Sequence, residues 1–248
     1  MCIIYINKSG RFGNNIQQLI IAYHFAFIEN NCKEIIFNNV NFLKTNKICN
    51  HNSNHCKCDK QLYYKCKQSG VTNMFYYPKG CHKPDVTLYD YKNIIQKYIK
   101  PYIKDELYIK NVYNKNVIHI RSGDVSQITD INCNYCMRPN KYYDNIISIL
   151  ESCTIVYESN NQNILYLKQK YSNNQNIKFQ SSGMVNDFNT LVNCETLVMS
   201  VGTYSVAAYL LSNSIKTIYC YKVQSLKLPN FGNDPNLEII DLYEKSDH

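Results

Sequence analysis

Between residues 116 and 221 the chain alternates apolar stretches of strand length with stretches of helical periodicity, and this alternation limits its fold more than any other feature. Strands are expected at 116–121, 153–157, 177–180, 196–200 and 217–221, with helices near 141–151, 161–171, 186–193 and 203–212. Strands separated by helices of this length run parallel, since each crossover carries the chain back to the same end of the sheet. The expectation is an α/β fold of the Rossmann kind. The first half repeats the plan less regularly. A strand at 2–6 leads into the turn Asn7-Lys8-Ser9-Gly10-Arg11-Phe12-Gly13-Asn14-Asn15. Ile16, Leu19, Ile20, Tyr23 and Phe27 then follow helical spacing, with Asn14 or Asn15 as the expected N-cap, and a second strand is expected at 34–37. Residues 44–93, rich in Asn, Lys, Cys and Tyr, read as an insertion, and 93–109 as helical periodicity broken at Pro101. A crossing near 110–115 separates an N-terminal half, 1–112, from a C-terminal half, 113–248.

Composition narrows the class. With 45% hydrophobic residues the chain is not generally disordered. A net charge of +8 suits an anionic ligand, and with 23 tyrosines it raises a nucleic-acid-binding module as a rival. The lysines trace no stripe and no RNP-type motif is present, so no nucleic-acid partner is expected. No signal core opens the sequence, and no apolar stretch approaches the roughly 20 residues that span a bilayer. The expected localisation is cytoplasmic, without a membrane span. In a reducing compartment the 12 cysteines are free thiols or metal ligands. Cys49, His51, His55, Cys56, Cys58 and Cys66 cluster in sequence, and Cys133 and Cys136 form a Cys-x-x-Cys pair. Neither pattern has the two arms of a zinc module, so scattered thiols are the simpler reading and no metal is expected.

The chemistry concentrates where the strand 116–121 stops. Val117-Ile118-His119-Ile120 is apolar and β-branched, and Arg121-Ser122-Gly123-Asp124 then sets a guanidinium, a hydroxyl, a glycine and a carboxylate in succession. Ligands of open α/β sheets sit beyond the carboxyl ends of strands, where this burst projects. Arginine is the scarce cation: of 27 Lys+Arg only Arg11, Arg121 and Arg138 are arginine. A position that keeps arginine in such a chain plausibly needs the planar fork, which suits a diphosphate, rather than the charge. An ion pair between Arg121 and Asp124 is the structural alternative. Gly10, Gly13, Gly123 and Gly202 are four of only eight glycines, and all lie in such turns. The third turn, Ser200-Val201-Gly202-Thr203-Tyr204-Ser205, lies between an apolar strand and an apolar helix. There Thr203 and Ser205 can cap the helix or donate to a phosphate, and Tyr204 offers a ring for stacking.

Together the three turns resemble the fucosyltransferases of the α-1,2, α-1,6 and protein O-linked group. Gly10-Arg11-Phe12-Gly13-Asn14-Asn15 is similar to their opening motif. His119, Arg121 and Asp124 match their central His-x-Arg-Arg-x-Asp, with Ser122 in place of the second arginine. Gly202-Thr203-Tyr204-Ser205 resembles their late Ser-Ser/Thr-Phe-Ser, preceded by an acidic helix similar to the one that carries Asp187. The resemblance implies a GT-B-like architecture of two Rossmann-like halves with parallel sheets, the C-terminal half being the clearer. It implies an inverting, metal-independent glycosyltransferase with no cofactor, moving L-fucose from GDP-fucose to a glycan or protein hydroxyl. A transferase of another nucleotide sugar is the alternative.

The implied roles follow the motifs. Arg121 would neutralise charge growing on the β-phosphate as the glycosyl bond breaks, and Asn14 would supply a phosphate-side amide. Gly10, Arg11, Gly13 and Asn14 would line the donor site. His119 and Asp187 would hold the nucleoside, and Gly202, Thr203, Tyr204 and Ser205 the diphosphate and base. Asp124 is a candidate base for the acceptor hydroxyl, or else orients Arg121 and the Gly123 turn; Glu158 is a second carboxylate in position for the base role.

Overall fold

The computed structural model describes residues 3–7, 10–29, 32–38, 40–49, 87–108, 114–122, 138–220 and 234–241. Contact density divides the chain into two units, Met1–Lys104 and Asp105–His248.

In the first unit β1 (Ile3–Asn7) pairs in parallel with β2 (Glu34–Asn38), and β3 (Lys47–Cys49) runs antiparallel to β2. The crossover from β1 to β2 is α1 (Phe12–Tyr23) followed by a π-helical turn, His24–Glu29. Ile16, Leu19, Ile20 and Phe27 are all buried, which is the face the spacing marks out. The helix nevertheless begins earlier than expected. Its N-cap is Arg11, without a side-chain capping bond, so Asn14 and Asn15 lie inside the first turn rather than capping it. Helix α2 (Leu88–Ile94) starts within the stretch read as an insertion. A capping box explains it: the Asp90 amide donates to Thr87 Oγ1 at 3.1 Å, and the Thr87 amide donates to Asp90 Oδ2 at 2.9 Å. A π-helical turn (Ile95–Ile99) follows, and then a 3-10 turn (Lys100–Tyr102) with Pro101 near its start, where no N–H is needed, closed by the Ile103 amide on Lys100 O at 3.0 Å.

The second unit is the expected α/β sheet. Its strands are β4 (Asn116–Ile120), β5 (Cys153–Tyr157), β6 (Ile177–Gln180), β7 (Thr196–Val198), β8 (Thr217–Cys220) and β9 (Glu238–Asp241). All five pairings are parallel, in the order β6-β5-β4-β7-β8-β9. The crossovers contain α3 (Asn140–Leu150), α4 (Gln162–Lys170), α5 (Met184–Val192) and α6 (Thr203–Leu211). Every residue of β4 and β5 is buried, as strands covered on both faces require. Tyr142, Tyr143, Ile146 and Ile147 of α3 and Ile164 and Leu167 of α4 pack with Ile118, Ile120 and Ile155 in one cluster. Each such aliphatic side chain contributes about 1.5–3 kcal/mol of burial. Buried Asn116, at the start of β4, gives its amide to Ser152 O at 2.9 Å and so ties β4 to the turn into β5. Strand β9 lies beyond the expected series; near its start Asp234 accepts from the buried Tyr209 hydroxyl at 3.0 Å.

No described helix is long and apolar enough to cross a membrane.

Candidate active site

In the second unit the chain leaves β4 in one direction for β5 and β6, and takes up β7, β8 and β9 on the other side. The C-terminal ends of β4 and β7 are therefore the topological switch point, the crevice where ligands of such sheets sit. Two of the three sequence turns meet there.

Arg121 is the first residue past β4. Its amide donates to Ser200 Oγ at 2.9 Å, fastening the end of β4 to the segment after β7. Its guanidinium lies against Gly202: a Cβ added there would fall 2.6 Å from Nη1 and 3.4 Å from Cζ. Gly202 is the N-cap of α6 with φ 92° and ψ −177°, a conformation open essentially to glycine alone, and no side chain caps this helix. The expected capping by Thr203 or Ser205 is thus corrected. Thr203 is the first residue of the helix, and the fully buried Ser205 donates instead to Ser200 O at 3.4 Å. An arginine fork and a helix N-terminus without a side-chain cap converge on one spot, and both favour an anion.

Ser122, where the family pattern has a second arginine, is fully buried, and its hydroxyl accepts the amides of Glu158 at 3.2 Å and Ser159 at 2.8 Å. It clamps the end of β4 to the end of β5. An arginine could not occupy that space.

Tyr204 spans from α6 to α5. Its ring sits 5.4 Å from His119 and 5.4 Å from Phe188, and its hydroxyl donates to Met184 O at 2.8 Å. The ring is already held between two others, so it serves as a wall of the site more than as an open shelf. Burial, and then the charges of Asp187 and Glu158, push its hydroxyl well above the usual phenol range. His119 is 7% exposed, and its Nδ1 has no hydrogen-bond partner among the described residues. Burial first, and the Arg121 charge second, push the imidazole down to about 3, so it is neutral at physiological pH.

Asp187 lies in the first turn of α5, whose N-cap is Gly183 at φ 90°. Its Oδ1 accepts from Gln180 Nε2 at 2.9 Å and from the Ser182 amide at 2.9 Å. That oxygen closes the turn from β6 into α5. Asn189, two residues further on, donates to the Glu106 carbonyl and anchors the 3-10 turn Asp105–Leu107.

Gly10, Arg11, Gly13 and Asn14 form one corner of the first unit. Gly10 has φ 76°, and the Asn14 side chain occupies the place a Cβ there would take. Asn15 Nδ2 reaches back to Gly10 O at 3.2 Å and Arg11 O at 2.6 Å. Gly123 and Asp124 lie outside the described residues, as do Cys133, Cys136 and all of the 49–66 cluster except the free thiol Cys49.

Sequence reasoning placed Ser122 and Ser200 in the turns of this site without their clamping roles, and missed Gln180 and Gly183. The available signal was a small polar residue or glycine directly after an apolar strand or before a helix.

No family model and no curated protein matches this chain. Among solved structures, the E. coli heptosyltransferase WaaC with ADP is similar at 9% identity and a TM-score of 0.38, over 69% of this chain and 48% of that one. The chain therefore spans about half the length of that enzyme.

Proposed function

We propose that this chain is a glycosyltransferase of GT-B type whose C-terminal unit binds a nucleotide sugar, with GDP-fucose as the first candidate donor and a glycan or protein hydroxyl as acceptor. The observation that carries this reading is the packing of the Arg121 guanidinium against Gly202 at the uncapped start of α6, at the switch point of a parallel sheet. A diphosphate placed there receives the arginine fork and the first-turn N–H groups of α6 together.

In the proposed inverting reaction the acceptor oxygen attacks the anomeric carbon as its bond to the β-phosphate oxygen breaks. The hydroxyl proton passes to a carboxylate, for which Asp124 is the candidate, and the departing diphosphate takes the electron pair. Arg121 meets the charge growing on that leaving group, the kind of preorganised electrostatic help that does most in catalysis. His119, held neutral, adds no second cation and can act only as a neutral hydrogen-bonding group toward the nucleoside. Gly10, Arg11, Gly13 and Asn14 keep in this proposal the phosphate-side role that the family resemblance gives them.

A thermal-shift comparison of GDP-fucose with UDP- and dTDP-sugars tests it. GDP-fucose is expected to raise Tm in a concentration-dependent way. Stabilisation by none of the three would contradict the reading, and stabilisation by a different nucleotide sugar alone would replace the donor.

A further inference from the structure

One charged side chain at this end of the sheet has no part in holding a diphosphate. Glu158 follows β5 directly, and β5 lies beside β4 with Tyr157 opposite Ile120, so Arg121 and Glu158 begin adjacent loops side by side. The Glu158 backbone is fixed on both sides: its amide donates to Ser122 Oγ at 3.2 Å, and its carbonyl accepts from Ser181 Oγ at 3.2 Å. Its side chain is exposed, while its charge is felt at Tyr204 together with that of Asp187.

The strand ends are thus divided electrostatically. Over β4 and β7 stand a guanidinium and a helix N-terminus, which favour phosphate. Over β5 and β6 stand Glu158 and Asp187, which repel phosphate and favour hydrogen-bond donors. Beside them the buried His119 Nδ1 lacks a partner among the described residues, as a polar group at a ligand site would. In dinucleotide-binding sheets with this strand order the phosphates sit at the end of the first strand, on the helix that follows it, and an acid at the end of the second strand takes the ribose hydroxyls; here the end of the first strand, β4, supplies Arg121, and the helix is α6 after β7. The order β6-β5-β4-β7-β8-β9 makes β5 that second strand, and Glu158 the residue at its end.

We propose that Glu158 reads the ribose: its carboxylate accepts hydrogen bonds from the 2′ and 3′ hydroxyls of the nucleoside whose diphosphate lies on Arg121 and the start of α6. This rests on the nucleotide-binding reading above and adds the sugar of the nucleoside to it. A carboxylate is an acceptor only and a cis-diol offers it two donors, whereas a deoxyribose leaves it short of one.

The test is calorimetric titration of the full chain with GDP, ADP and UDP, each beside its 2′-deoxy counterpart, repeated on Glu158→Gln. The wild type is expected to favour the ribonucleotide about tenfold for the base it binds best, a factor in keeping with one charge-assisted hydrogen bond at an exposed site. Glu158→Gln is expected to weaken the ribonucleotide more than the deoxynucleotide, which keeps only its 3′ hydroxyl for this contact, and to bring the two within about threefold of each other, with an unchanged Tm. Equal wild-type affinity for both forms, or a preference that survives in Glu158→Gln, would overturn this role while leaving the nucleotide site standing. Binding of no nucleotide at all would overturn both.

Discussion

The turn from β1 into α1 and the turn from β7 into α6 each place a glycine at positive φ, Gly10 at 76° and Gly202 at 92°, before a helix with no side-chain capping bond. They differ in what closes them. The first is closed by its own helix: Asn14 packs on Gly10, and Asn15 returns two hydrogen bonds to the turn's carbonyls. The second is closed by a residue from another strand, Arg121, whose guanidinium fills the space that Gly202 leaves. A turn stapled by its neighbours keeps its shape from within the first unit. A turn held by a guanidinium keeps a positive charge at the mouth of a parallel sheet, and that is a place for an anion.

Removing the cation breaks the comparison most sharply. Arg121→Ala is expected to weaken GDP binding by about 100-fold, or roughly 2.7 kcal/mol, in calorimetric titration. Arg121→Lys is expected to recover only part of it, since the charge returns without the fork. Undiminished binding by Arg121→Ala would make the two turns equivalent.

Gly202→Ala comes next. The backbone conformation and the contact with Nη1 both oppose a methyl group, and unfolding in denaturant should show a loss of about 2–3 kcal/mol. In an Arg121→Ala background the contact disappears and the backbone strain stays, so part of the loss should return. Gly10→Ala is expected to cost only about 1–2 kcal/mol, because the atom in its way is the movable end of the Asn14 side chain.

The effect that is smallest per step is a pH dependence, read one pH unit at a time. His119 has an unfolded pKa near 6.5 and a folded value of about 3, so between those limits the unfolded chain binds the extra proton. Stability is fully present above pH 6.5 and falls as pH drops toward 3, by at most about 1.4 kcal/mol per pH unit. His119→Gln is expected to flatten that part of a Tm–pH curve.

The repeating half was legible because its signal is periodic. β5 and β6 have the expected bounds, β4 ends one residue earlier and β7 two, β8 is described from Thr217 to Cys220, and every helix expected between them is present. Features that depend on single residues were harder to see. The start of α2 rests on the Thr87–Asp90 capping box, hidden in a stretch of biased composition. β9 has only two apolar residues, Ile239 and Ile240, between Glu238 and Asp241, and it gains its place by pairing with β8. At the site, Arg121, Gly202 and Tyr204 lie beyond the carboxyl ends of β4 and β7, the end of the sheet to which their residue types pointed. That Arg121 would fill the space beside Gly202 was not legible, since the contact joins residues 81 apart in sequence. Nor was Ser122 recognisable as the clamp between β4 and β5, because its two partners belong to another strand end.

A crystal structure of the chain with GDP tests the central claim most directly. The diphosphate is expected within hydrogen-bond distance of the Arg121 guanidinium and of the first-turn amides of α6 at Thr203 and Tyr204. Diphosphate density anywhere else, or none at saturating GDP, would contradict the account.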